Sequence, residues 1–315
     1  MKFDKTEKGL AVALAIAALL SFVVPEWAVF LGTLAVSKCL VVFGCLVLWR
    51  TGLVSFGQAL YFALGGYTVG MAGKYLGWTD AVLLTVLGTI VAGVMAAIIS
   101  MLLARYREIF FAMFSMALSM ILYGVLVKTE VLGSTDGFNV VVPTFFGYAP
   151  EGTELLISMF MLTLLVTLIA AVFVHRYLSS TLGHLTTAIK DNEIRVEYLG
   201  LSVFKAIQFK VILAGALAGT GGAITAFSVG HVDPDAMAYW TVSGEFVFIT
   251  ILSGTGSVAA PFLGALLFQV VRTYAFQYSP QTWQLVLGAV LLFLIMFIPD
   301  GLWSLVRRIR NKEVA

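Results

Sequence analysis

Apolar runs close to twenty residues long recur from one end of this 315-residue chain to the other, and they leave few folds open. A helix rises 1.5 Å per residue, so about twenty apolar residues match the roughly 30 Å hydrocarbon thickness of a bilayer. An ordinary soluble helix is apolar along one stripe only. In hydrocarbon every backbone N–H and C=O needs an internal partner, which a helix supplies within its own segment. A hydrophobic content of 60% and a mean hydropathy of +1.00 agree.

Ten segments qualify: Leu10 to Val24, Ala28 to Leu48, Leu53 to Gly73, Ala81 to Leu103, Ile109 to Val127, Glu154 to Val174, Phe204 to Phe227, Ala236 to Leu252, Phe262 to Phe276, and Thr282 to Ile298. The expectation is an all-α integral membrane protein of about ten transmembrane helices in one domain spanning 1–315. Lys2, Lys5 and Lys8 precede the first run, as in a signal peptide, but Pro25-Glu26-Trp27 offers no small-x-small cleavage site and a second span follows at once. A retained first helix is expected. With the N-terminus inside, one side receives Lys2, Lys5, Lys8, Arg50, Arg105, Arg107, Arg176, Lys190, Arg195, Lys205, Lys210, Arg307, Arg308, Arg310 and Lys312. The other holds Lys74, Lys128 and Arg272 against Glu26, Asp80, Glu130, Asp136, Glu151, Glu154, Asp233 and Asp235. Cytoplasmic loops collect Lys and Arg, so both termini are expected in the cytoplasm.

Chemistry is hard to find. The Gly73-Lys74 pair continues into Tyr75 and makes no phosphate-binding loop. His175, His184 and His231 are scattered, with no metal-ligand spacing. Cys39 and Cys45 sit in an apolar run and read as small buried hydrophobes. The longest polar interval, about 175–204, is too short for a folded domain. Any energy-consuming catalytic domain must therefore be another chain; no enzyme activity, cofactor, metal or nucleic acid is expected here.

That interval contains Ala188-Ile189-Lys190-Asp191-Asn192-Glu193-Ile194-Arg195-Val196-Glu197-Tyr198-Leu199-Gly200, a charged stretch in a chain that is 11% charged. Such a stretch belongs in water. It reads as one short cytoplasmic helix from Thr187 to Leu199, capped by Thr186 or Thr187 at its start and by Gly200 at its end, with Asp191 and Arg195 paired at i,i+4 and an apolar stripe of Ile189, Val196 and Leu199. A helix of this kind suits either a groove on a soluble partner or a bed of lipid headgroups.

Resemblance favours the partner. Thr187-Ala188-Ile189-Lys190-Asp191-Asn192-Glu193, Leu199-Gly200-Leu201, Lys205 and the small-residue run Ala214 to Ala223 resemble the permeases of branched-chain amino acid ATP-binding cassette importers, closest to their M-type subunit. So do Thr51 to Ala59, Phe62 to Tyr67, Leu252 to Ser257 with Pro261 and Gly264, and Pro299-Asp300-Gly301-Leu302. The resemblance implies a bacterial inner-membrane importer with two ATPase subunits that bind the ATP, a second and non-identical permease subunit, and a periplasmic binding protein. It implies an ATPase-coupling role for Lys190, Asp191, Asn192, Glu193, Arg195 and Gly200. Phe62 to Tyr67 is also similar to the urea and short-amide branch, which leaves the substrate open between hydrophobic amino acids and small amides.

Two features depart from the family's pattern: Lys38, about 15 Å into the second span by helical rise, and Glu245 at similar depth in the eighth. Intramembrane charges mark function or a fixed pairing. A Lys38–Glu245 pair would neutralise both, and an ion-coupled secondary transporter using these residues or Asp233 is the rival reading from another class. Gly65 and Gly66, with Gly70, Gly73, Gly215 and Gly219, suit close helix packing. The same glycines beside Ser55, Gly57 and Gln58 are candidates for a partly unwound strip lining a pathway.

Overall fold

Each of the ten apolar segments overlaps helix in the computed structural model, which describes residues 4–278, 280–298 and 301–304. Pro299, Asp300, Lys2 and the basic residues Arg307, Arg308, Arg310 and Lys312 lie outside them. The helices are α1 (Lys5–Leu20), α2 (Glu26–Trp49), α3 (Gln58–Leu76), α4 (Ala81–Leu103), α5 (Glu108–Lys128), α6 (Thr153–Ser179), α7 (Thr181–Asp191), α8 (Glu193–Tyr198), α9 (Val203–Val229), α10 (Pro234–Met237), α11 (Trp240–Ser253), α12 (Ala260–Tyr278) and α13 (Trp283–Phe297). Among the described residues, six stretches are long and apolar enough to cross a bilayer: α2, α4, α5, α6, α9 and the α10–α11 stretch Pro234–Ser253. The expected ten spans are therefore not reached by length and composition. Helices α1 and α13 have 16 and 15 residues, about 24 and 22 Å of rise. Helices α3 and α12 have 19 residues each but are diluted by glycine in one and by Gln269, Arg272 and Gln277 in the other.

Helix α9 is the hub, packed most extensively against α4, α3 and α2. Glycine makes this possible. A Cβ on Gly65 would run into the carbonyl oxygen of Gly219, one on Gly222 into that of Phe62, and one on Gly44 would lie 2.7 Å from the Ala214 Cα. Backbones in contact gain dispersion along their length, and dispersion drives helix association where lipid is as apolar as the protein. Around this hub α6 packs on α2 and α9, α12 on α2 and α11, α13 on α12, and α1 on α6. Helix α4 sits outside, with Leu83, Val86, Ile90, Val94, Ile98 and Met101 exposed at helical spacing along one face.

The two ends of the bundle differ. Beyond α9 one end carries a two-stranded antiparallel sheet, β1 (Phe138–Asn139) with β2 (His231–Val232). The turn residues Gly133, Ser134 and Gly137 before β1 all have positive φ, as the Gly and Asp content of that loop leads one to expect. Asp80 caps α4 by accepting from the Leu83 N–H (2.9 Å), and its other oxygen accepts from the Phe146 N–H (2.7 Å). The opposite end carries α7 and α8 over a second apolar cluster that includes Leu53, Leu103, Phe111, Ile189, Val196, Val203 and Ile207.

Candidate functional site: a docking surface and two intramembrane polar groups

The polar interval folds as two helices where one was expected. Helix α7 begins six residues early, its first turn capped by the Ser180 hydroxyl, which accepts from the Gly183 N–H at 3.2 Å. It stops at Asp191 because Asn192 turns extended (φ −164°, ψ 103°) and uses its side-chain oxygen to accept from the Arg195 N–H at 3.1 Å, starting α8. Gly200, at φ +80°, then turns the chain away, a conformation that costs a residue with a Cβ. Ser202 caps α9. The expected Asp191–Arg195 pair does not form, since the break at Asn192 removes the shared helix that would bring i and i+4 together.

Ile189 and Val196 turn inward and are buried in the second cluster, but Leu199 is 77% exposed. Beside it, Ile194 and Tyr198 are also exposed, as are the charged or polar Lys190, Asp191, Asn192, Arg195, Glu197 and Gly200. Glu193 is tied back: Arg107, between α4 and α5, reaches its Oε1 from Nε at 2.6 Å. The stem of Lys190 packs over Gly52, where a Cβ would meet its Cγ at 3.3 Å. The result is a mixed apolar and charged outer face on a segment anchored to three other parts of the molecule.

The third span does not begin at Leu53 as expected. Gly52 (φ +82°) ends the turn after α2, and the chain runs unwound to Gly57 before α3 starts at Gln58. Tyr61 packs against Gly215 and Gly65 against Gly219, so α3 runs parallel to α9. Gln58 is thus level with about residue 212, roughly 14 Å along α9 from the α7–α8 end. Side-chain hydroxyls replace the missing helical bonds: the Phe56 N–H donates to Ser115 Oγ (3.1 Å), Gly57 N–H to Ser55 Oγ (3.3 Å) and Ala59 N–H to Ser243 Oγ (2.9 Å). Gln58 is fully buried, and its amide nitrogen and oxygen have no hydrogen-bond partner among the described residues. Gly65 and Gly66 stand apart from this strip, in the seam against α9 and Met237.

Lys38 Nζ lies 3.0 Å from Glu245 Oε2, with both residues more than nine-tenths buried. Sequence reading missed the third member, Arg272, which it assigned to the exterior; its Nε reaches the other carboxylate oxygen at 3.3 Å. An arginine inside an apolar run was the available signal. Lys38 also lies over the Phe268 ring and Arg272 over Trp283. Lys210, counted among the cytoplasmic charges from the sequence, is instead fully buried in α9, and Nζ has no partner among the described residues. Arg50 closes the Gly254 to Ser257 turn, donating from Nε and Nη2 to the Thr255 carbonyl at 3.0 and 2.7 Å.

A multi-pass helical bundle with an anchored polar segment at one end and a hydroxyl-lined break before α3 is an integral membrane architecture, and breaks of this kind are what transporters use to build sites within the membrane. Residues 27–295 match the family described as the permease component of branched-chain amino acid transport systems, and the chain belongs to that family. It is 26% identical to the high-affinity branched-chain amino acid transport system permease protein LivM of Escherichia coli, covering 96% of this chain and 76% of that one. LivM of Salmonella typhimurium is 25% identical over the same shares. The nucleoside ABC transporter permease protein NupB of Lactococcus lactis is 23% identical, over 78% of this chain and 66% of its own. No solved structure matches the chain.

Proposed function

We propose that this chain is one permease subunit of an ATP-binding cassette importer for branched-chain or other hydrophobic amino acids. It would work with two ATPase subunits that bind and hydrolyse ATP, a second, non-identical permease and a periplasmic binding protein. The observation that carries this reading is the outer face of α7 and α8. Ile194, Tyr198 and Leu199 lie among Lys190, Asp191, Asn192, Arg195 and Glu197. An apolar centre ringed by charge suits a protein groove. Through Ile189, Val196 and the Arg107–Glu193 pair, a push on this face reaches α2, α4, α5 and α9, so closure of a docked ATPase could bias the bundle between two states. In this reading α7, α8 and both termini are cytoplasmic in a bacterial inner membrane, and the β1–β2 end faces the binding protein. The Ser55, Gly57 and Gln58 strip borders the pathway.

Similarity to NupB supports nucleosides as a second substrate class, and urea or short amides remain the third by motif. The test is reconstitution of the complex with ATP inside vesicles and binding protein outside, comparing labelled L-leucine, uridine and urea. Leucine uptake that requires ATP is expected. Asp191→Lys or Tyr198→Asp should abolish co-purification of the ATPase and reduce uptake to background. Unchanged copurification and uptake in both variants would refute the docking assignment and favour an ion-coupled carrier using Lys38 and Glu245.

A further inference from the structure

Resting on the importer reading, we infer that Arg272, kept in charge excess by the enclosed Lys38 and flanked by Gln269, is a subsite for the carboxylate group of the transported solute. Two cations share the single Glu245 carboxylate, one on each oxygen, at 3.0 and 3.3 Å. A structural pair would be complete with Lys38 alone. Adding Arg272 leaves one net positive charge at a depth where Ser37, the neighbour of Lys38, packs on Gly221, about 27 Å along α9 from the α7–α8 end. An uncompensated charge there is costly unless an anion visits it.

Geometry says from where. Lys38 and Glu245 are enclosed, whereas the Arg272 side chain is 36% exposed. Charged groups at membrane depth face a protein partner or water, not lipid, so this opening lies on the pathway or subunit-facing side of α12. Only Nε of Arg272 is used; its terminal nitrogens make no hydrogen bond among the described residues, and they form the fork that takes a carboxylate with two bonds. The Trp283 ring holds the guanidinium on one face. Gln269, one helical turn before Arg272 on the same face, is 4% exposed with its Oε1 unpartnered. That acceptor suits the ammonium of an amino acid whose carboxylate rests on Arg272. A neutral nucleoside or urea would leave the charge uncompensated, so the subsite selects carboxylate-bearing solutes.

The test uses the complete reconstituted complex, with labelled L-leucine and uridine as probes and binding-protein-stimulated ATP hydrolysis as a second readout. For Arg272→Gln, leucine uptake should fall about tenfold or more, the weight of one lost charge-assisted contact, while stimulated hydrolysis is retained. Arg272→Lys, which keeps the charge but not the fork, should fall between. Leucine uptake by Arg272→Gln at the wild-type rate overturns the subsite and leaves the importer reading intact. Parallel loss of uptake and hydrolysis in both variants also overturns it, in favour of a structural role. Wild-type uptake of uridine but not leucine overturns the amino-acid reading and the subsite with it. Where Arg272→Gln fails to assemble, wild-type leucine uptake by Arg272→Lys is the overturning result.

Discussion

Two kinds of residue in this bundle have no room for change, and for opposite reasons. Gly65 and Gly222 are fixed by shape, because a methyl group on either would strike a backbone carbonyl of the neighbouring helix, which cannot rotate aside. Gly65→Ala should therefore cost about 1–3 kcal/mol through forced separation of α3 and α9, read as a lowered apparent melting temperature in detergent, whereas Gly124→Ala, with nothing within 4 Å, should be silent. Glu245 is fixed by charge. Its loss strands two cations, while loss of Lys38 leaves the Arg272–Glu245 pair in place. Glu245→Ala should destabilise by about 3–5 kcal/mol and Lys38→Ala by clearly less; equal effects would mean that Arg272 does not share the carboxylate. The small residues of α3 and α9 and the charges at 38 and 245 were legible from sequence. Arg272 and Lys210 carried the signal of a charge inside an apolar run but not their depth, because an ionisable residue within a few positions of a span end reads equally well as a loop charge until the packing of α12 and α9 fixes it.

Among the elements, α8 shows how six residues can be held in place. One end is capped by Asn192, the other is released by Gly200, Val196 is buried, and Arg107 clamps Glu193. The clamp is about one-third exposed on both partners, so it contributes only about 0.2–1 kcal/mol to global stability. Its larger effect should be positional. Glu193→Arg should lower transport by placing like charges together, and the exchange Arg107→Glu with Glu193→Arg should restore most of it; failure of the exchange in an uptake assay would show that Glu193 acts on a partner and not on Arg107. Helix propensity and capping patterns located this segment, and the break at Asn192 is where they fell short. An i,i+4 charge pair and an Asn N-cap are alternative uses of the same few residues, and the extended Asn192, capping α8 through the Arg195 N–H, takes the second. The strip from Leu53 to Gly57 departs from helix for a related reason: its apolar content suits a span, but the hydroxyl oxygens of Ser115 on α5 and of Ser55 accept from the Phe56 and Gly57 N–H groups, and the distant serine is announced by no local pattern.

For the whole molecule the charge map makes a topological prediction. Phe146 and Tyr198 are 85% and 87% exposed at opposite ends of the bundle, and the native Cys39 and Cys45 are buried free thiols. In intact cells a membrane-impermeant maleimide should label Phe146→Cys and not Tyr198→Cys, with the pattern reversed in inverted vesicles and the native cysteines silent in both. By itself the sequence determined that this chain is a helical membrane bundle, where most helices lie along the chain, and which segment is too polar for lipid. Those follow from hydropathy, a property each residue carries with it, summed over the length of one helix. Only the tertiary structure decided which helix is central, where α3 begins, and that a third charge joins Lys38 and Glu245. These depend on contacts between residues far apart in the chain, such as Gly65 with Gly219 and Arg272 with Glu245, and no local pattern encodes the distance between them.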